Sequence, residues 1–172
     1  MEVMEAIEKR YSARGFADRN IEPEKIRLIM EAGRLAPTGS NEQPNKHIVV
    51  TDKSLIHEMV AACRNQEWIH SAPAILVECA AGDRTMVCGH SARVMDGAIA
   101  MSYMTLEAVS LGLQFVWLGW FEPDKVRPIL NIPEDYIVVA VAPIGYPAKD
   151  GAPVPKKSAD EVIVYNRMQE AF

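Results

Sequence analysis

The 172 residues hold only three cysteines, Cys63, Cys79 and Cys88, and no CxxC pair. An odd count without a pairing motif argues against a disulfide framework. Neither GxxxxGK[ST] nor GxGxxG occurs, so the glycine loops that seat a nucleotide's phosphates on a helix N-terminus are missing. No serine sits in G-x-S-x-G, which disfavours a serine hydrolase. The four histidines, His47, His57, His70 and His90, form no HExxH, and Cys88 with His90 has no second pair, so no metal site is expected. Basic excess is absent too: 18 Lys and Arg face 23 Asp and Glu, a net charge of -5. Nucleic-acid binding depends on neutralising phosphates, so no nucleic-acid partner is expected. No apolar run reaches the roughly 18 residues of a membrane span. The opening "MEVMEAIEKR" is acidic and amphipathic, unlike a signal peptide, and a cytoplasmic protein with no membrane partner is expected.

What is present suits one compact domain over residues 1–172, with 49% hydrophobic and 24% charged residues. Helical spacing predicts helices over 2–11, from Pro23 to Pro37, over "KSLIHEMVAACRNQ", over 91–112 and over "PDKVRPILNIP". Apolar runs predict strands at "HIVVTD", "APAILVECAA", "LQFVWLGWF" and "YIVVAVAPIGYP", and a last strand-like "EVIVY" in the tail. Helices outnumber strands, and the strands show no clear two-residue alternation. That pattern fits a sheet covered on both faces, an α/β or α+β layered domain. The tail, 148–172, has no nearby segment to pair with and is expected to reach elsewhere in the fold or onto another subunit.

Four stretches carry chemistry. In "RYSARGF", Arg10, Ser12 and Arg14 fall on one side of an extended segment and can present two guanidinium forks and a hydroxyl to one anion. A solvated basic turn explains the same residues. "APTGSNEQPNKH" is a polar loop between a helix and a strand, with Asn41 and Gln43 able to donate and accept; a plain helix-ending turn is the alternative. Lys156 and Lys157 pair two cations in a proline-containing tail, as a solvated face also would. "APIGYP" ends an apolar strand, where Gly145 lets a backbone approach a flat ligand, or simply turns.

In order along nearly the whole chain, these stretches resemble the flavin-dependent nitroreductase family. "RYSAR" is similar to its R-x-S-x-R, and "APTGSNEQP" to its A-P-S-x-x-N-x-Q-P. "SAPAILVECA" resembles the strand after its third helix, and "DGAIAMSYMTLEAVSLGLQFVWLGWF" its central helix, turn and strand. "APIGYP" and "PKKSADEVI" are similar to its late strand end and basic tail.

The resemblance implies an α+β, nitroreductase-like α/β sandwich: a central, mostly antiparallel sheet flanked by helices, in an interlocked homodimer with swapped C-terminal tails. It implies FMN at the subunit interface and NADH or NADPH as electron donor. Hydride would pass in a ping-pong cycle to a small-molecule acceptor, such as a nitroaromatic or quinone. By position, Arg10, Tyr11 and Ser12 would lie at the phosphate and ribityl end, with Lys156 or Lys157 adding charge. Arg14 would face the ring edge where negative charge collects on reduction. Pro37, Thr38, Gly39 and Asn41 would come from the partner, while Pro143, Ile144 and Gly145 would pack on the ring. Asn65 stands near a position of polar contact in some members. No side chain need be catalytic, since the flavin carries the redox chemistry.

Two departures accompany the resemblance: Asn45 stands where the family's Q-P-W has its aromatic, and the chain is short, without a long helical lid. Trp68, Trp117 and Trp120 are expected in the core or an interface. A flavin-binding storage or sensor protein is the alternative reading, and a cofactor-free helical interaction protein a second one.

Overall fold

A computed structural model describes residues 1–168. Its main helices are α1 (Val3–Lys9), α2 (Pro23–Arg34), α3 (Lys53–Ala62), α4 (Ala92–Ser110) and α5 (Pro123–Leu130). The strands are β1 (Asn45–Val50), β2 (Ala74–Ala81), β3 (Gln114–Phe115) and β4 (Tyr136–Gly145). Pro23 and Pro123 open their helices, where the missing N–H would have no partner in any case. The Asp52 side chain caps α3 by accepting from the N–H groups of Ser54 and Leu55. Ser91 caps α4 in the same manner through Val94.

The strands pair antiparallel throughout in the order β1-β2-β4-β3. On β2, Ile75, Val77 and Cys79 face a cluster with Ile56, Met59 and Val60 of α3 and Val126 of α5. Ala74 and Leu76 face the opposite cluster, with Ile29 of α2 and Met101, Met104 and Ala108 of α4. Both faces are therefore apolar, which is why alternation was illegible in the sequence. Small residues on the second face let α4 lie close. A Cβ on Gly97 would come within 2.8 Å of Val139 Cγ2. Burial raises the thiol pKa of Cys63 and of Cys79 to about 12, and all three cysteines are unbonded.

Two expected strands come out differently. "LQFVWLGWF" pairs as a strand only at Gln114 and Phe115, opposite Gly145 and Ile144. The next position meets Pro143. Its carbonyl accepts from the Val116 N–H at 3.3 Å, but it has no N–H to return. The same register resumes only as an isolated bridge between Leu118 and Val141. "EVIVY" is no strand in the single chain: Ala159–Val162 is one helical turn, α6, fixed by a capping box between Ser158 and Glu161.

The "GYP" turn is anchored by Tyr146. Its hydroxyl donates to Glu22 Oε2 at 2.5 Å and accepts from Lys25 Nζ at 2.8 Å, while the Arg19 guanidinium lies 3.9 Å over its ring. The hydrogen bond from Tyr146, with that from Arg19, lowers the Glu22 carboxyl pKa to about 2.

Candidate functional site

The first group of site residues follows α1. The Tyr11 N–H donates to Gln114 Oε1 at 3.2 Å, and Gln114 Nε2 donates to the Lys9 carbonyl at 3.1 Å. The Phe16 N–H donates to Ser71 Oγ, and the Ala148 N–H to the Gly15 carbonyl. Backbone bonds thus hold Arg10–Phe16, and the polar side chains stay outside. Arg10 Nη1 reaches Ser12 Oγ at 3.5 Å. Both line a cavity of about 310 Å³ with Ser102 and Thr105 of α4, Phe115 and Trp117. Arg14 lines a neighbouring cleft of about 390 Å³ with Gly15, Lys149 and Gly151. Tyr11 packs under Gly151, where a Cβ would run into its ring.

Arg19, Arg34, Arg64, Arg84 and Arg93 each meet a carboxylate. Among the described residues no carboxylate pairs with Arg10 or Arg14. Arg27, Arg127 and Arg167 meet none among them either, but Arg10 and Arg14 stand four residues apart in sequence and each lines a recess beside Ser12, a place for an anionic ligand.

The second group is the loop after α2. The Thr38 Oγ1 accepts from the Gln43 N–H at 3.0 Å, and the Gly39 N–H donates to Asp96 Oδ1 of α4 at 2.8 Å. Arg84 donates to the Gly39 carbonyl at 3.3 Å and to Ser40 Oγ at 3.1 Å. Glu42 is clasped by Arg84 and by Arg93, the latter at 2.7 Å. The hydrogen bond from Arg93, with the charge of Arg84, holds the Glu42 carboxyl below its ordinary range. Asn45, in place of an aromatic, donates to the Asp96 carbonyl at 3.2 Å. Behind it His47 Nδ1 faces the fully buried Glu78 Oε2 at 2.5 Å, and burial pushes the Glu78 carboxyl upward. Pro37, Ser40 and Asn41 point outward, exposed.

These two groups do not meet in one chain. Asp96 holds the loop, whereas Thr105, nine residues on, lines the Arg10 cavity. At about 100° and 1.5 Å per residue, nine positions amount to about two and a half turns and roughly 13 Å, on opposite sides of the helix.

Other expected residues are placed differently. Pro143, Ile144 and Gly145 are buried in the sheet. A Cβ on Gly145 would come 2.6 Å from Pro73 Cδ and 3.0 Å from the Phe16 ring, so on that side the glycine makes room for protein atoms. Lys156 and Lys157 lie in the exposed tail, with no described contact to Arg10 or Ser12. Asn65 is exposed, with φ +54°. Trp68 packs on the core, but Trp117 and Trp120 are exposed, Trp120 by 69%, so neither is a core residue. Ser102, Thr105, Gln114, Arg84, Arg93 and Asp96 were missed. Lone polar residues on a helix as apolar as α4 were the available signal, since buried polar groups need partners.

Matched against models of known families, residues 7–83 and 57–146 fit the nitroreductase family. A protein of Archaeoglobus fulgidus, named as an NADH dehydrogenase/NAD(P)H nitroreductase, is 34% identical over 150 residues, covering 85% of this chain and 86% of its own. The chain belongs to the nitroreductase family. The nitroreductase fold is matched equally well in solved structures. The crystal structure of a nitroreductase family protein from Clostridium difficile superposes with a TM-score of 0.86 at 29% identity, covering 98% of this chain and 100% of that one. The NADPH:FMN oxidoreductase of Vibrio harveyi, solved with NAD+, gives 0.88 at 26% identity, covering 99% of this chain and 79% of that one. The antiparallel sheet between two helical layers is thus the family's architecture.

Proposed function

We propose that this chain is an FMN-dependent oxidoreductase whose site is completed by a second copy. The observation that carries the reading is the pair of guanidinium groups, Arg10 and Arg14, left without carboxylates beside two recesses that share Ser12. They fit a ligand that bears a phosphate and gains negative charge on reduction. When bound, FMN supplies hydride transfer from NADH or NADPH to a nitroaromatic, quinone or similar acceptor, in a ping-pong sequence.

The chain's own residues bind and orient. Arg10 and Ser12 take the phosphate end, in a cavity whose α4 wall carries Ser102 and Thr105, their hydroxyls donated to the Ala98 and Met101 carbonyls. Arg14 supplies a cation that favours negative charge on the ligand. Lys156 or Lys157 adds charge when the tail is docked. Pro37, Thr38, Gly39 and Asn41 cover the site of the partner copy, since α4 keeps them away from their own. Apolar side chains support that second copy: Val3 and Met4 on α1, Val94 and Met95 on α4, and Val162–Tyr165 of the tail all stand exposed. A tail docked on a partner also offers "EVIVY" a sheet edge.

The test is a titration of the purified protein with FMN, followed by anaerobic mixing with excess NADH or NADPH. Binding of one FMN per chain in a dimer, and bleaching of its visible absorbance, are expected. A monomer that binds no FMN overturns the reading. Bound flavin that stays oxidised under both donors identifies a storage or sensor protein instead.

A further inference from the structure

We propose that Asp96, together with Arg84, is a positioning residue that sets the shape of the Thr38–Glu42 loop and, through it, the flavin affinity of the partner's site. The inference rests on the reading that FMN lies between two copies.

The loop's own bonds are few: the Asn41 N–H donates to the Thr38 carbonyl at 3.0 Å and the Glu42 N–H to the Gly39 carbonyl at 3.2 Å. Ser40, Asn41 and Gln43 have φ of +54°, +56° and +52°, a left-handed region that costs side-chain-bearing residues of order 1 kcal/mol or more each. Beyond that turn and Thr38 Oγ1, its anchors are side chains from outside the loop. Asp96 Oδ1 fixes the Gly39 N–H, and Arg84 fixes the Gly39 carbonyl and Ser40 Oγ. Glu42 closes the far end against Arg84 and Arg93. Sterics do not enforce the shape. A Cβ on Gly39 would meet nothing nearer than 3.7 Å, the nearest atoms being Arg84 Nη1 and Asp96 Oδ1.

Asp96 is 3% exposed, an unusual site for a carboxylate, and among the described residues its one salt-bridge partner is Arg93 Nη1 at 3.5 Å. Its Oδ2, the Arg93 Nε and Nη1, and the Asn45 Oδ1 lack hydrogen-bond partners. A surface turn requires none of these buried groups. The bond that Asp96 accepts and those that Arg84 donates hold the loop with Pro37 and Asn41 exposed. The same helix carries Ser102 and Thr105 on its far side, so α4 gives one end to the partner's ligand and its middle to its own.

Asp96→Ala, Asp96→Asn and Arg84→Ala test this, with FMN Kd and the melting temperature of the FMN-free protein read side by side. Asp96→Ala and Arg84→Ala are each expected to weaken FMN binding about tenfold, the worth of one charge-assisted hydrogen bond. Asp96→Asn, which keeps an acceptor for the Gly39 N–H, restores most of it. Arg84 is partly exposed, so its variant decides the matter if Asp96→Ala does not fold. Lowered melting temperatures with unchanged Kd overturn the inference and leave the flavin reading intact. A wild-type protein that binds no FMN overturns the flavin reading itself.

A mixed dimer of an Arg10→Ala chain and an Arg84→Ala chain locates the effect. Both lesions then fall on one site, and the other is intact. One FMN per dimer at wild-type affinity is expected. A dimer with no site of wild-type affinity overturns action on the partner's site.

Discussion

The Arg10–Phe16 segment and the Thr38–Glu42 loop are both irregular, yet they commit their own side chains differently. The backbone of the first is held by the Gln114 and Ser71 side chains and the Ala148 amide, and its arginines meet no carboxylate among the described residues. The second adds to its own backbone turn a hold by Asp96, Arg84 and Arg93 that takes up its Ser40 and Glu42 side chains. A segment held by its backbone can spend its side chains on a ligand. A loop held from beneath can only present a surface, and that surface faces away from its own chain's arginines.

The sharpest way to break this comparison is to remove the uncommitted cations. Arg10→Ala should weaken FMN binding by roughly tenfold to a hundredfold, the loss of a charge-assisted contact, with little change in melting temperature. Arg14→Ala should weaken it less and also slow reduction by NADH or NADPH, measured by stopped flow. Unchanged affinity and rate remove Arg14 from the site. Gln114→Ala attacks the backbone hold instead. It leaves the Tyr11 N–H and the Lys9 carbonyl without partners, at a cost of about 1–3 kcal/mol in denaturant unfolding. Gly145→Ala forces Pro73 or Phe16 to move and should cost about 1–3 kcal/mol with no direct contact to ligand.

The smallest effect concerns Glu22, at the clamp that fixes the end of β4. Its pKa is lowered on folding, so the stability it adds is full above about pH 4.5 and is lost as pH falls toward about 2. Glu22→Gln should therefore narrow the gap from wild type across that window and leave it constant above. A gap that does not change between pH 5 and pH 2 removes Glu22 from the clamp.

The helices and the inner strands were legible because each repeats apolar residues over enough length to declare its period. Arg10, Ser12 and Arg14 were legible because permanent cations at every second residue need an explanation in an acidic chain. Gly145 has a reason the sequence hid: its missing side chain leaves room for Pro73 and Phe16, partners 72 and 129 positions away that no local pattern announces. Asp96 was hidden for the same reason, since its worth lies in one hydrogen bond to a loop 57 residues earlier. "EVIVY" read as a strand from β-branched residues, but a strand needs a neighbour. Where none is within reach, the Ser158–Glu161 cap folds Ala159–Val162 into one helical turn and Ile163–Tyr165 follow outside any strand.

The interruption at Pro143 has an effect outside the site. Sheets are vulnerable at their margins, where unpaired amides recruit foreign strands and seed fibrils. On the β3 side this protein offers a border only two residues long before one imino acid cancels the ladder. A border strand that short gives a foreign strand few amides to pair with.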